Sequence, residues 1–92
     1  MKVNDVVSII RAEVNRRGYK LEERKSVSTD SLYFKIYSGD TSLMFRLSDH
    51  QTKSNIMTLR VDKKTTAQSV RGFINNRCQD LSHRHVKALL GL

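Results

Sequence analysis

Ninety-two residues, 38% hydrophobic and 28% charged, make one domain with one compact core and exclude a multi-domain or disordered chain. A single cysteine, Cys78, excludes an intramolecular disulfide and a CxxC metal site. The net charge of +8 is concentrated, since residues 1–49 hold nine Lys and Arg against seven Asp and Glu, while residues 50–92 hold eight against two. Such a basic half favours a polyanionic partner such as nucleic acid, an acidic protein or an anionic membrane surface.

The chain opens with apolar residues at Val3, Val6, Val7, Ile10 and Val14, which is helical spacing. A first helix is expected to be capped by Asn4 or Asp5 and to run to about Arg17, with Gly18 past its end. Asn4 and Asp5 also interrupt any signal-peptide pattern, and no apolar run approaches the roughly 20 residues of a membrane helix. With the lone cysteine, this gives the expectation of a cytoplasmic protein with no membrane association. Tyr19 to about Val27 reads as a short edge strand, its charges discouraging pairing with another chain.

Ser31 to Val61 is the most informative stretch. Gly39-Asp40 is a two-residue hairpin turn. It sets Ser38 against Thr41, Ile36 against Leu43, Phe34 against Phe45 and Leu32 against Leu47. A polar connection, Asp49–Ser54, leads to a further strand from Asn55 to Val61. One sheet face then takes Leu32, Phe34, Ile36, Leu43, Phe45, Leu47, Met57, Leu59 and Val61, which form a core. The other takes Tyr33, Lys35, Tyr37, Met44, Arg46, Thr58 and Arg60, with Ile56 near its end. A one-residue slip would spoil both faces, so turn and alternation specify one register.

Thr65 and Gln68 match a capping box opening a second helix, with an apolar stripe of Ala67, Val70, Phe73, Ile74, Cys78 and Leu81. Gly72 within it suggests a close backbone approach. Ser82 reads as the cap of a separate final helix to Leu90, with Leu81 and Val86 as a hydrophobic staple and Gly91 as its end. The expected fold class is α+β: an N-terminal helix, a three- to four-stranded antiparallel sheet and two C-terminal helices, the helices packed on one face of the sheet.

Three surfaces carry candidate binding residues. The second sheet face offers Tyr33, Lys35, Tyr37, Arg46 and Arg60, since aromatic rings stack on unpaired bases and arginines meet phosphate. Two plainer readings compete: a cross-strand Tyr33–Arg46 cation–π pair, or a final helix folded over this face to bury Tyr37, Met44 and Ile56. The start of the second helix sets Lys63 and Lys64 beside free backbone N–H groups, an arrangement that attracts phosphate. The C-terminal helices carry Arg71, Arg77, Arg84 and Lys87 with His83 and His85. Their tight junction suggests a helix-turn-helix whose recognition helix, His83–Leu90, is short.

The order helix, three strands, helix with lysines at its start resembles that of double-stranded-RNA-binding domains, and this resemblance implies phosphate contact at Lys63 and Lys64. The Gly-Pro-x-His-type loop of that family has no counterpart in SGDT or DHQTKS, which contain no Pro. The order is similar also to that of some small phage-encoded nuclease inhibitors, although the acidic DNA mimicry used by certain of them does not suit a basic chain.

Catalytic patterns are missing. Asp49 and His50 are merely adjacent in a loop, Cys78 falls on the apolar stripe, and His83 and His85 are spaced so that they diverge on a helix. No HExxH, P-loop, GxGxxG or GxSxG occurs. The expectation is therefore a small non-enzymatic nucleic-acid-binding module without cofactor or metal. The alternative is an accessory or inhibitor protein of the kind phages and mobile elements encode, acting through a protein partner as a monomer or homodimer.

Overall fold

The computed structural model describes residues 1–25, 31–49 and 57–91. In chain order the elements are α1 (Val3–Arg16), β1 (Lys20–Lys25), β2 (Leu32–Ser38), β3 (Thr41–Ser48), β4 (Thr58–Arg60) and α2 (Ala67–Leu90). The strands form one sheet in the order β1-β2-β3-β4. Helix α1 packs on β1 and α2, and α2 lies over β2 and β3, so the fold is α+β with both helices on one face of the sheet.

The β2–β3 hairpin has the register expected from its sequence, with Leu32, Phe34, Ile36 and Ser38 opposite Leu47, Phe45, Leu43 and Thr41. Gly39 takes φ 61°, the left-handed angle that lets two residues reverse the chain with the twist of the strands. Phe34 and Phe45 stack with ring centroids 5.1 Å apart, and Phe73 of α2 meets Phe45 edge-on at 5.3 Å. Val6, Ile10 and Val14 of α1 and Val70, Ile74, Cys78 and Leu81 of α2 complete the core. Burial pushes the Cys78 thiol pKa up, as suits a small core side chain rather than a nucleophile.

Five features differ from expectation. The sheet is mixed rather than antiparallel, because β4 runs parallel to β3, pairing Arg46, Leu47 and Ser48 with Thr58, Leu59 and Arg60. Arg46 N donates to Met57 O and Ser48 O accepts from Val61 N, both at 2.9 Å. Only the last three residues of β3 pair with β4. Met57 precedes this paired segment and is exposed rather than in the core.

The expected pair of C-terminal helices is one continuous helix, α2. Ser82 does not cap; its hydroxyl meets the Tyr19 hydroxyl at 2.5 Å, and no Gly or Pro interrupts the run from Phe73 to Leu90. This removes the helix-turn-helix expectation. The capping box at the start of α2 sits one residue later than expected, with Thr66 as the cap and Ser69 as its partner. At α1 the cap position is Lys2, without a side-chain bond, in place of Asn4 or Asp5. Val27, His50, Asn55 and Ile56 lie outside the described residues.

Candidate nucleic-acid interface

Because both helices lie on the core side, the opposite face of the sheet carries no helix among the described residues. Strand alternation fixes what stands on it. Cross-strand pairing lines up Arg24, Tyr33, Arg46 and Thr58 as one row through all four strands. The adjacent row is Glu22, Lys35 and Met44, and the next is Lys20, Tyr37 and Ser42. Arg60 stands on β4 beside Ser48. The face thus brings together Tyr33, Lys35, Tyr37, Arg46 and Arg60. It adds Lys20, Glu22 and Arg24 from β1, which the sequence reading did not place there because the run EERK masks the alternation of that strand.

The local geometry distinguishes these side chains. Lys35 Nζ lies 5.1 Å from the centre of the Tyr37 ring, a cation–π contact between neighbours two residues apart on one strand. The Tyr37 hydroxyl donates to Glu22 Oε2 at 2.5 Å, and Arg24 Nη2 lies 3.7 Å from Glu22 Oε1. Tyr37 and Glu22 are thereby tied to each other. Arg46 is buried, with 7% of its surface exposed, whereas Met44 is 48% exposed and Arg60 is open to solvent. The alternative in which the final helix folds over this face and buries Met44 is not what the structure has. That helix continues α2 on the core side, where its His85 ring approaches the hairpin turn at Gly39. Between β1, β2 and β3 the face is indented by a cleft of about 330 Å³ lined by Glu22, Arg24, Tyr33, Phe34, Lys35 and Met44.

The other candidates lie elsewhere. Lys63 and Lys64 are exposed in the turn before α2. Asp62 organises that turn: its Oδ1 accepts from Lys64 N at 2.8 Å, and its own N–H donates to Thr65 Oγ1 at 2.8 Å. The bond from Lys64 N–H is the main cause holding the Asp62 carboxyl below its usual pKa. This carboxylate sits beside the lysine pair and weakens its pull on phosphate. Arg71 points toward Glu13 of α1, 3.9 Å away, and Arg77 is paired with Asp80 one turn on. Arg84 and Lys87 are exposed on the last turns of α2, at the hairpin end of the molecule. The described basic residues of the C-terminal half therefore do not form one patch.

Among the described residues no group of three or more His, Cys, Asp or Glu side chains is placed to hold a metal, and no helix is long and apolar enough to cross a membrane. No family model, curated protein or solved structure matches this chain.

Proposed function

We propose that this protein is a small non-enzymatic nucleic-acid-binding module whose contact surface is the helix-free face of the sheet. The observation that carries the reading is the combination on one open face of tyrosines with Lys20, Arg24, Lys35 and Arg60 against one carboxylate, Glu22, among the described residues. Rings and cations interleaved on an open sheet provide stacking and phosphate contact together.

Fluorescence anisotropy of labelled oligonucleotides at low and high salt tests the proposal. Binding should weaken steeply with salt, with a log–log slope of about 0.7 per phosphate neutralised on a single strand. No binding at low salt would refute it.

A second reading rests on a different surface. Val86, Leu89 and Leu90 are exposed on the last turns of α2, and large apolar side chains displayed together suit a protein partner, including a second copy of the chain. Light scattering distinguishes monomer from homodimer, and a tight protein partner captured without nucleic acid would favour this second reading.

A further inference from the structure

Building on the nucleic-acid reading of the sheet face, we infer that the cleft between β1, β2 and β3 holds one unpaired base of a single strand, stacked on Tyr33 and flanked by Met44, with Arg24 and Lys35 meeting the adjoining phosphates.

The cleft itself is the first ground. Its volume of about 330 Å³ lies at the small end of the range for small-molecule sites, about 300–1,000 Å³, and has room for a single base. Its lining combines the pieces that a nucleotide requires: a ring, a thioether, two cations and a carboxylate.

The second ground is the division of labour between the two tyrosines on β2. Tyr37 has Lys35 over its ring and its hydroxyl committed to Glu22. Tyr33 instead stands at the cleft, in a row with Arg24 on one neighbouring strand and Arg46 on the other. Arg24, exposed beside the stacking ring, supplies both charge and planar contact to a base and its phosphate, whereas Arg46 is buried and is not offered to the ligand.

Glu22 is the apparent misfit, since a carboxylate repels phosphate. Here it accepts from Tyr37 and lies near Arg24, which offsets its charge. A carboxylate lining the cleft is an acceptor for the exocyclic amino group of a base, the pairing acidic side chains make with nucleobases elsewhere.

Shape selects a single strand. A duplex keeps its bases stacked on one another and presents backbone and groove edges; reading it by direct contact takes a helix or ribbon that enters a groove. Neither helix stands on this face, the β2–β3 hairpin is flanked by β1 and β4 rather than free as a ribbon, and the groups displayed there reward exposed base surfaces.

The test uses a fluorescein-labelled pyrimidine-rich 12-mer as single-stranded DNA, as single-stranded RNA and as the DNA duplex. Each is titrated with the full chain and with Tyr33→Ala, Tyr33→Phe and Arg24→Gln, every variant first checked for an unchanged circular dichroism spectrum and melting transition. Either single strand should bind at least ten-fold more tightly than the duplex. Tyr33→Ala should lose roughly ten-fold or more in single-strand affinity, and Tyr33→Phe should retain most of it, because the ring is kept. Arg24→Gln should lower the salt slope by about 0.7. Should Tyr33→Ala not fold, the Tyr33→Phe and Arg24→Gln results decide.

Duplex binding as tight as single-strand binding, or an affinity indifferent to both Tyr33→Ala and Arg24→Gln, overturns the cleft assignment and leaves the broader nucleic-acid reading standing. No binding to any of the three at low salt overturns both. Whether DNA or RNA binds more tightly identifies the sugar, and either result supports the assignment when the single-strand preference holds.

Discussion

Glu13 shows what a single side chain contributes here and how little of it is visible in the sequence. Its carboxylate accepts a 2.8 Å bond from Arg16 one turn along α1, with Arg17 at 3.7 Å and Arg71 of α2 at 3.9 Å. Helical spacing makes the first two pairings local, but Arg71 reaches Glu13 only through tertiary packing, which no periodicity encodes. The bond from Arg16 is the main cause holding the Glu13 carboxyl below its ordinary pKa, assisted by the charges of all three arginines and opposed by desolvation. In acid the unfolded chain therefore binds a proton at this position before the folded chain does. The stabilisation is complete above the unfolded value and is lost as pH falls through the lower folded value. Thermal melts of Glu13→Gln beside the parent chain should show a lower melting temperature at pH 7 and a gap that closes through the acid range. A gap of constant size across pH would show that the effect is packing rather than charge.

At the scale of elements, α2 is where the sequence misleads most and where the reasons are clearest. Two adjacent threonines, Thr65 and Thr66, both precede a polar residue three positions on, so the pattern alone permits either cap. The structure uses Thr65 in the Asp62 turn and leaves Thr66 to bond Ser69 reciprocally. Urea denaturation should find Thr66→Ala less stable by about 1 kcal/mol. Gln68→Ala, at the partner position the sequence pattern favours, should be nearly neutral. Gly72 was expected to mark a close approach, yet a Cβ built there meets nothing within 4 Å. It is an exposed mid-helix glycine, and Gly72→Ala should stabilise the protein by about 0.5–1 kcal/mol. The supposed break at Ser82 fails for a related reason: a hydroxyl in mid-helix reads as a cap in one dimension, whereas here it meets Tyr19 across the fold.

For the whole molecule, the two faces of the sheet divide stability from candidate function, and this division was largely legible because a hairpin with one register sorts every side chain. What could not be read was the direction of β4, since direction leaves no trace in alternation, and the membership of β1, whose charges stand on both faces. On the core side, the wholly buried Phe45 packs against Phe34 and Phe73 at once. Phe45→Ala should cost about 3–5 kcal/mol, a large share of the roughly 5–15 kcal/mol that holds a domain together. On the open side, Arg24 and Arg60 project into solvent, and substitutions at such sites usually stay within about 0.5 kcal/mol. Urea denaturation followed by circular dichroism should therefore show Phe45→Ala close to unfolded, with Arg24→Gln and Arg60→Gln near the parent chain in midpoint and slope. The open-face arginines have no such stake in the fold, so any loss of binding in those two variants belongs to the surface itself. If they instead unfolded as readily as Phe45→Ala, the basic face would be a structural network, and the case for a nucleic-acid surface would fall with it.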